Sequence, residues 1–523
     1  MKFIIVTGGV ISGIGKGITA ASIGRLLKSR GFKVTAVKID PYLNCDAGTM
    51  NPYQHGEVYV MDDGGEVDLD LGHYERFLDI ELGKKNNITT GKVYLNVIEK
   101  ERKGDYLGET VQIIPHITNE IIGEVISAGD SAEIMLVEMG GTVGDIESMP
   151  FLEAMRELRI RVGKENILFG HVTLVPEIKT TGEQKTKPTQ HSIMALREIG
   201  IRPDFIIARG EKPLEPQARS KISLFCDVER KGIISAPDVE NPYEIVLKLD
   251  EQGVTEYILE KLHLKARCNE LEDWINFIES MRNPTREVKI AIVGKYIGLK
   301  DSYLSHIEAI KHAAAELKLK PIISWISAED IERKGTNLLK GNDCLLIPGG
   351  FGKRGSKGKI DACRHARENN VPFLGVCFGF QLAVIEYCRN VLGLDANSTE
   401  FDPDTANPVV TILEDQSERL GGTMRLGSYP IKIVKGTKAF EIYGKEKIGE
   451  RHRHRYEVNP EYVSEVEKGK MKFSGISDDG FMELLEMKGH RFYMASQFHP
   501  EFKSRPGKPA PLFLEWMKST ISG

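Results

Sequence analysis

The feature that most constrains this chain is the stretch GVCFGFQ, which runs from Gly375 to Gln381. A buried-strand pattern, Val371 to Val376, leads into it, and a helical pattern, Gln381 to Asn390, follows it. Glycines two residues before and two residues after Cys377 permit the sharp strand-to-helix turn that exposes a nucleophile. The positive end of the following helix would favour a thiolate there. Taken alone, a single cysteine is more often a buried core residue.

The stretch SQFHPEF, Ser496 to Phe502, supplies partners for this cysteine. His499 could take the thiol proton, and Glu501 could hold the imidazole in the required tautomer. Pro500 restricts the backbone between them, so that both side chains project from a stiff strand end. On its own, the tripeptide His-Pro-Glu would more often form a surface turn.

These two stretches, together with LLIPGGFG (Leu345 to Gly352) and NSTEF (Asn397 to Phe401), resemble the class I, triad-type glutamine amidotransferases. The resemblance implies that the cysteine attacks the amide of glutamine and releases ammonia. It also implies an oxyanion hole made by the backbone near Gly350 and by the N–H that follows the nucleophile. Such a domain needs an ammonia acceptor, so we expect the remaining chain to contain a synthetase.

The composition is that of a globular protein with several domains. The chain has 523 residues, of which 41% are hydrophobic and 28% charged, enough for about two to four domains. Its net charge of −5 gives no reason to expect nucleic acid as a partner. No run reaches the ~18 apolar residues that cross a bilayer, and the start, MKFIIVTGG, is unlike a secretory signal, so we expect no membrane partner. Seven cysteines without a CxxC pair predict a cytoplasmic location and no thiolate zinc site.

The N-terminal segment predicts a phosphate-binding loop. A strand, Lys2 to Thr7, is followed by GGVISGIGKGI, Gly8 to Ile18, and then by an amphipathic helix. Backbone N–H groups of such a loop point at an anion. The match to a P-loop is imperfect, because Val10 stands at the first glycine position and Gly17 replaces the usual Ser or Thr. The alternative is a glycine-rich turn without function. In a deviant P-loop, Lys16 would reach the phosphates, and the magnesium ion would be held elsewhere.

Acidic residues near strand ends predict that magnesium site. Lys38 and Asp40 end the next predicted strand, where ligands of open α/β sheets bind. The segment EVDLDLGHYERF places Asp68 and Asp70 on one face if it is extended, and Glu138 ends a further apolar strand. Oxygen ligands from Asp70 and Glu138 would suit Mg²⁺ that bridges phosphates. The alternative is that these acids are only solvated.

A cationic group follows in the sequence. The loop GEQKTKPTQHS, Gly182 to Ser192, carries Lys185 and Lys187, and Lys221 comes later. Together these side chains could bind a triphosphate, although each lysine taken alone would be an ordinary surface residue. A charged helix, Thr255 to Met281, then predicts a segment that links two domains.

The second half alternates predicted strands and helices, as an α/β sheet does. Within it, FGKRGSKGK, Phe351 to Lys359, is rich in glycine and lysine and is predicted to be a mobile lid over the thiol. The run RHRHRY, Arg451 to Tyr456, resembles a nucleic-acid patch in composition, but it fits recognition of the glutamine carboxylate better.

Nearly the whole chain is similar to the CTP synthase family. The motifs that carry this resemblance are GGVISGIGKG, KIDPYLN, QHGEV, DLDLGHYERF, GDYLG, PHITNEI, GGTVGDIES, KTKPTQHS and RHRHRYEVN. The resemblance implies that ATP phosphorylates O4 of UTP and that ammonia from glutamine displaces this phosphate to give CTP. It further implies Mg²⁺ as cofactor, activation by GTP, inhibition by CTP, a homotetramer and, in some members, filaments.

The implied fold is α/β with two domains. A P-loop, dethiobiotin-synthetase-like amidoligase domain with a parallel sheet would span residues 1–266. A linker would span residues 267–288, and a class I glutamine amidotransferase α/β domain would span residues 289–523.

The resemblance also implies roles for individual residues. The implied catalytic residues are Cys377, His499 and Glu501, and the implied metal ligands are Asp70 and Glu138. The implied ATP-binding residues are Gly13, Ile14, Gly15, Lys16, Gly17, Ile18, Lys38, Asp70, Pro237, Asp238 and Val239. The implied UTP- or CTP-binding residues are Ser12, Asp145, Ile146, Glu147, Lys185, Thr186, Lys187, Pro188, Thr189, Gln190 and Lys221. The implied glutamine-binding residues are Gly350, Phe378, Gly379, Phe380, Gln381, Glu400 and Arg455.

Two other interpretations are open at this point. One is a different P-loop amidoligase, such as a cobyrinic acid amide synthase, which the KTKPTQ and DIES motifs argue against. The other is a nucleotide-sensing filament protein that has lost catalysis, which the intact Cys377, His499 and Glu501 argue against. Among the arginines of the RHRHRY run, Arg451 and Arg453 also stay open as alternatives to Arg455 for glutamine.

Overall fold

The computed structural model describes residues 1–51, 55–129, 131–178, 180–295, 297–412 and 424–521. Spatial contacts divide the chain into two compact units. The first unit comprises Met1–Ala47 and Asp70–Ile275, and the second comprises Gly48–Leu69 and Asn276–Gly523. The sequence did not predict that residues 48–69 group with the second unit. The predicted domain boundaries at residues 266 and 289 stay a prediction.

The strands, in chain order, are β1 Lys2–Gly8, β2 Val34–Asp40, β3 Tyr59–Val60, β4 Glu66–Val67, β5 Asn87–Thr89, β6 Ile134–Met139, β7 Ile167–Leu174, β8 Glu177–Ile178, β9 Glu183–Gln184, β10 Phe205–Gly210, β11 Ile233–Pro237, β12 Arg286–Gly294, β13 Leu319–Ser327, β14 Cys344–Ile347, β15 Phe373–Val376, β16 Ala396–Ser398, β17 Asn407–Ile412, β18 Arg425–Ile433, β19 Lys447–His454, β20 Tyr456–Val458, β21 Met471–Ser477, β22 Met482–Met487 and β23 Tyr493–Ser496.

The α-helices are α1 Lys16–Ser29, α2 Leu69–Leu78, α3 Thr90–Lys103, α4 Thr118–Ser127, α5 Met149–Val162, α6 Lys187–Glu198, α7 Pro216–Cys226, α8 Ile245–Asp250, α9 Val254–Lys261, α10 Glu272–Arg282, α11 Leu304–Glu316, α12 Ala328–Lys334, α13 Ser356–Glu368, α14 Phe378–Asn390, α15 Lys438–Tyr443, α16 Pro460–Glu467 and α17 Pro511–Lys518. None of the helices in the described residues is long and apolar enough to cross a membrane.

The first unit is built on a seven-stranded sheet in the order β11-β10-β7-β1-β6-β2-β5. Every pairing in it is parallel, as predicted for the synthetase half. The central strands are buried along almost their whole length, because helices cover a parallel sheet on both faces. Apolar residues of α3, α4 and α5 form one continuous core with these strands.

The second unit contains a nine-stranded mixed sheet in the order β13-β12-β14-β15-β23-β22-β21-β18-β19. Its pairings are parallel from β13 to β23 and antiparallel from β23 to β19. Separate apolar clusters cover its faces, one of which includes the side chain of Cys377. The α/β class predicted for both halves is therefore confirmed.

Three local features differ from what the sequence pattern indicates. The single helix predicted over residues 255–281 is two helices, α9 and α10. The chain between them leaves the helical path at His263, where φ is 55°, and its backbone N–H groups at Arg267 and Glu270 donate to carbonyls at the end of α1. The segment around Asp68 and Asp70 is not extended, because α2 begins at Leu69.

The third difference concerns the lid that was predicted over the thiol. Residues 356–359 do not belong to a loop, since α13 begins at Ser356. Lys359 is buried in the first turns of this helix, and its Nζ donates to Pro348 O at 3.3 Å.

Candidate functional site

Cys377 lies at a sharp turn between β15 and α14 in the second unit, as predicted. Its φ of 52° is unusual for a residue other than glycine and is typical of a strained functional position. Both flanking glycines are required by close packing. A Cβ on Gly379 would collide with Ile347 O, and one on Gly375 would lie 2.9 Å from the backbone of Gly379. The helix begins at Phe378 rather than at the predicted Gln381.

His499 and Glu501 form a buried pair next to this cysteine. The Nδ1–H of His499 donates to Glu501 Oε1 at 2.7 Å. A Cβ on Gly349 would lie 3.1 Å from His499 Cε1 and 3.8 Å from Cys377 Cβ, so the imidazole and the thiol flank the same glycine. The geometry brings the three predicted catalytic residues into one site, although their roles stay a prediction.

Charges in this site favour a protonated imidazole. Burial lowers the pKa of His499, but the Glu501 carboxylate and the Cys377 thiolate outweigh burial and raise that pKa to about 10. Burial would raise the pKa of Glu501, whereas His306 and His499 hold it below its ordinary value. His306 is a second histidine that the sequence did not reveal. Its Nε2 lies 3.4 Å from Glu501 Oε1, and burial lowers its pKa to about 4.

The sulfur is surrounded by further polar groups. Sγ of Cys377 lies 3.6 Å from Arg453 O and 3.7 Å from Nε2 of Gln497. Gln381, which was predicted to bind glutamine, directs its amide group at Tyr456 O (2.8 Å) and at Oε1 of Gln497 (3.2 Å). The side-chain amide group of Gln381 thus has hydrogen-bond partners within the protein.

The other predicted glutamine-binding residues differ in their surroundings. Gly350 lies beside Phe378, because a Cβ on Gly350 would be 3.5 Å from Cδ1 of that ring. Glu400 accepts from the backbone N–H of Gly352 at 2.7 Å, and burial raises its pKa. Gly379 and Phe380 are buried in the core of the unit. Their part in binding glutamine stays a prediction.

The arginines of the RHRHRY run pair mainly with the segment of residues 48–69. Arg451 forms an ion pair with Asp62 and donates to Tyr59 Oη and Val60 O, each at 3.0 Å. Arg453 donates to Glu66 Oε1 at 2.8 Å and to Gly48 O at 3.1 Å. These contacts engage two of the three arginines that the sequence offered for glutamine.

The glycine loop of the first unit joins β1 to α1 in the predicted order. Val10, at the first glycine position of a P-loop, has φ of 79°, and Gly13 and Gly15 have φ of 69° and 90°. The backbone therefore takes the left-handed conformation there even though valine resists it. Nζ of Lys16 donates to Gly141 O at 2.6 Å. Burial lowers the pKa of Lys16, whereas Glu138 and Asp70 oppose that shift.

Lys38, Asp70 and Glu138 form a buried ion cluster beside this loop. Nζ of Lys38 pairs with Asp70 and, at 2.7 Å, with Glu138 Oε1, and the hydroxyl of Tyr74 donates to the same glutamate. Burial favours the neutral lysine, but the two carboxylates outweigh it and raise the pKa of Lys38 well above its ordinary value. Burial raises the pKa of Glu138. The pKa of Asp70 is lowered, because its burial is outweighed by Lys38.

The surroundings of Gly17 explain why this loop has glycine where an ordinary P-loop has serine or threonine. A Cβ on Gly17 would collide with the Asp70 carboxylate. The carboxylate thus occupies the space in which a serine or threonine of an ordinary P-loop would place its hydroxyl, a usual ligand of Mg²⁺. Asp70 and Glu138 both pair with Nζ of Lys38, so their hard oxygen donors lie close together and suit a magnesium ion. In the described part of the chain, no three His, Cys, Asp or Glu side chains group as metal ligands, so substrate phosphates and water would complete the coordination.

The predicted residues for UTP or CTP lie in four segments of the first unit. Ser12 is exposed in the glycine loop, and Asp145 accepts from the backbone N–H of Thr142 at 2.8 Å. Lys185 pairs with Glu183 at 2.6 Å, and Lys187 lies 5.9 Å from the ring centre of Phe225 on α7, the helix that also carries Lys221. The remaining predicted members of this set are Ile146, Glu147, Thr186, Pro188, Thr189 and Gln190. Among the described residues, no hydrogen bond or ion pair joins Asp145 or Glu147 to the three predicted lysines, Lys185, Lys187 and Lys221.

Arg209 is a residue that the sequence analysis missed. It lies near the end of β10, and its guanidinium would be 3.9 Å from a Cβ on Gly15 of the glycine loop. It pairs at 2.9 Å with Oδ1 of Asp238, which is one of the residues predicted to bind ATP. A basic residue at the carboxyl end of an apolar strand, FIIARG, is the signal that could have indicated it.

Comparison with known proteins agrees with both halves of this description. Residues 2–264 match the family model described as CTP synthase N-terminus, and residues 298–519 match that of glutamine amidotransferase class-I. The CTP synthase of Pyrococcus furiosus is 59% identical over 98% of this chain and 96% of its own length. That of Caldanaerobacter subterraneus is 53% identical over 100% of this chain and 98% of its own.

One solved structure in the comparison is the glutaminase domain of Trypanosoma brucei CTPS with bound acivicin. It is 38% identical, with a TM-score of 0.43, and the match covers 45% of this chain and 94% of that one. The full-length relatives, and not this partial match, decide between the interpretations that the sequence left open. The chain belongs to the CTP synthase family, whose members are enzymes that aminate UTP to CTP with glutamine as the nitrogen donor.

Proposed function

We propose that this chain makes CTP by two coupled half-reactions. The second unit hydrolyses glutamine, and the first uses ATP to form a 4-phosphorylated UTP that ammonia converts to CTP. The observation that carries the proposal is the arrangement of Cys377 at a strained turn, with the buried His499–Glu501 pair beside the same glycine, Gly349. Such an arrangement suits a thiol nucleophile with its base and the orienting group of that base.

In the glutaminase half-reaction, His499 takes the thiol proton and the Cys377 sulfur attacks the amide carbon of glutamine. The backbone N–H groups of Gly350 and Phe378 stabilise the resulting oxyanion. His499 returns the proton to the leaving nitrogen, the C–N bond breaks, and water then hydrolyses the thioester. Glu400, Arg455 and the segment Phe378 to Gln381 hold the amino acid part of glutamine.

In the synthetase half-reaction, the glycine loop from Ser12 to Ile18 cradles the ATP phosphates, and Lys16 and Lys38 offset their charge. Asp70 and Glu138 would hold Mg²⁺, which would supply positive charge to offset that of the crowded phosphates. Phosphorylation turns O4 of UTP into a good leaving group, so that ammonia can displace it. The segment Pro237 to Val239 lies by the adenine.

UTP and its product CTP share a triphosphate subsite at Lys185, Lys187 and Lys221, so CTP inhibits by competition. The loop Asp145 to Glu147 contacts the same nucleotide. GTP activates glutamine hydrolysis, and the enzyme is a homotetramer. A cytoplasmic location fits seven cysteines that are all unpaired.

The test is the variant Cys377→Ala, assayed with UTP, ATP, Mg²⁺ and GTP. We expect it to lose CTP synthesis from glutamine, because alanine cannot form the thioester, and to keep synthesis from ammonium chloride. Cys388→Ala, which removes another buried thiol of α14, serves as control and should keep both activities. Glutamine-driven synthesis at the wild-type rate in Cys377→Ala would exclude this nucleophile. Loss of both activities in a folded protein would mean that the half-reactions are not separable.

A further inference from the structure

Lys359 is a buried lysine that none of the steps above uses. It lies on α13 with only 2% of its surface exposed. Among the described residues, its Nζ has no carboxylate within ion-pair distance, and its hydrogen bond goes to the carbonyl of Pro348 at 3.3 Å. Taking a charged group out of water without a counter-ion costs several kcal/mol. Replacement of a buried charge by an apolar side chain is often neutral or stabilising, so the stability of the fold does not explain the presence of a lysine here.

The contacts of Lys359 converge on one part of the second unit. Its Nζ lies 5.0 Å from the centre of the Phe378 ring, a distance that suits a cation–π contact. A Cβ on Gly350 would lie 3.3 Å from the same nitrogen. The ammonium group therefore fills the space between Gly350 and Phe378 and is tied to the carbonyl two residues before Gly350.

We propose that Lys359 is a positioning residue for glutamine hydrolysis, which holds the Pro348–Gly350 turn and Phe378 in the geometry that binds the oxyanion. The inference rests on the proposed function, in which the backbone N–H groups of Gly350 and Phe378 receive the developing negative charge. Its positive charge also interacts with the charge of Cys377 when that residue is a thiolate. A fixed charge in a site shielded from water acts more strongly than one in solvent.

This role predicts a characteristic pH dependence of glutamine hydrolysis, because Lys359 can lose its charge within the pH range in which the reaction can be assayed. Burial lowers its pKa to about 8, and the charge of Lys295 adds to that shift, while Cys363 and Cys377 oppose it. The groups that face it are thus Cys363 on its own helix, Lys295 at the end of β12, Cys377 at the turn and His306 on α11. The ammonium form is present below pH 8 and disappears above it, so kcat for glutamine hydrolysis should fall as the pH rises through about 8.

The experiment compares Lys359→Met, Lys359→Arg and the control Lys357→Met, whose side chain is exposed on the same helix. Ammonia release from glutamine is measured from pH 6.5 to 9.5 on the full-length enzyme with constant GTP. We expect Lys359→Met to have a kcat about tenfold to a hundredfold lower at pH 7, with little change in KM. Lys359→Arg should lose the decline near pH 8, because guanidinium stays charged, and Lys357→Met should follow the wild-type curve.

A wild-type kcat in Lys359→Met would overturn the proposal, and so would a decline near pH 8 that persists unchanged in both variants. CTP synthesis from ammonium chloride reports on folding, since it does not need this site. If Lys359→Met loses that activity as well, the pH curve of Lys359→Arg decides the question. Absence of glutaminase activity in the wild-type enzyme would instead contradict the proposed function itself.

Discussion

Lys38 of the first unit and Lys359 of the second are buried lysines whose surroundings act on their charge in opposite ways. In the first unit, Lys38 is paired with Asp70 and Glu138, and its pKa is raised well above the ordinary value. In the second unit, Lys359 has a carbonyl and an aromatic ring for partners, and its pKa is lowered to about 8. The first arrangement is a compensated ion cluster, which suits a site that receives a metal and polyanionic substrates. The second leaves an excess positive charge, which suits a site where negative charge develops only during reaction.

This difference predicts which residues affect which half-reaction. Charges of the first cluster should affect every route to CTP, because both nitrogen sources depend on phosphorylated UTP. Charges of the second should affect only the route that begins with glutamine.

Lys16→Ala should abolish CTP synthesis from both glutamine and ammonium chloride, because the loop loses the cation that approaches the phosphates. Basal release of ammonia from glutamine should continue. Lys33→Ala is the matched control, since that lysine is exposed just before β2. The measurement is CTP formation with each nitrogen source, alongside ammonia release. Normal CTP formation by Lys16→Ala would remove the loop from the ATP site.

Glu501→Gln should lower kcat for glutamine hydrolysis by about 10²- to 10⁴-fold and leave ammonium-driven synthesis intact. The carboxylate is one of the groups that raise the pKa of His499, so its loss lets that pKa fall and weakens the thiolate–imidazolium pair. Alkylation of Cys377 by iodoacetamide at pH 7 should slow in parallel. Glu441→Gln, which changes an exposed glutamate of α15, should leave both rates unchanged. Unchanged alkylation with a reduced kcat would show that Glu501 acts otherwise than through His499.

The same two regions also differ in how much of them the sequence could predict. The thiol, the imidazole and the carboxylate lie on short stretches whose local pattern fixes their geometry, and so their proximity was foreseen. Arg451 and Asp62 are 389 residues apart along the chain, and no local pattern links them. Lys359 was assigned to a loop because its glycine- and lysine-rich surroundings resemble one, whereas tertiary packing extends a helix through it.

The break between α9 and α10 is likewise caused by contacts with a distant part of the chain. Its sequence is compatible with one helix, but carbonyls at the end of α1 accept from its backbone and stabilise another path. The replacement of Ser or Thr by Gly17 was visible in the sequence, yet its reason was not. Only the fold shows that the Asp70 carboxylate fills that space.

Gly17→Ala should raise the Mg²⁺ concentration needed for half-maximal CTP synthesis by about tenfold, because the added methyl group displaces Asp70. Glutaminase activity should be unaffected. Gly123→Ala provides a matched control, since it also lies in a helix but has open space around its Cα. A magnesium dependence equal to that of Gly123→Ala would argue against Asp70 as a ligand.

Backbone strain is a further feature of both sites, and its removal should have the smallest effect. Both sites place a residue other than glycine at positive φ, Val10 at 79° and Cys377 at 52°. Such a conformation costs of the order of 1–3 kcal/mol. At Cys377 the side chain is the proposed nucleophile, so the strain cannot be removed without loss of the reaction. The valine side chain has no such role, and the glycine loop should tolerate its removal.

Val10→Gly should therefore stabilise the first unit by about 1 kcal/mol, because relief of strain exceeds the added entropy of the unfolded chain. The control is Ile11→Gly, which changes the next exposed apolar residue, whose φ is not positive, and should destabilise the unit. The measurement is the thermal transition of each variant, which for a unit of this size should move by about 2–4 °C, together with CTP synthesis from ammonium chloride. Equal destabilisation by both changes would mean that the loop relaxes around valine. A higher transition temperature with unchanged activity would show that strain in the glycine loop, unlike strain at the thiol, is dispensable for chemistry.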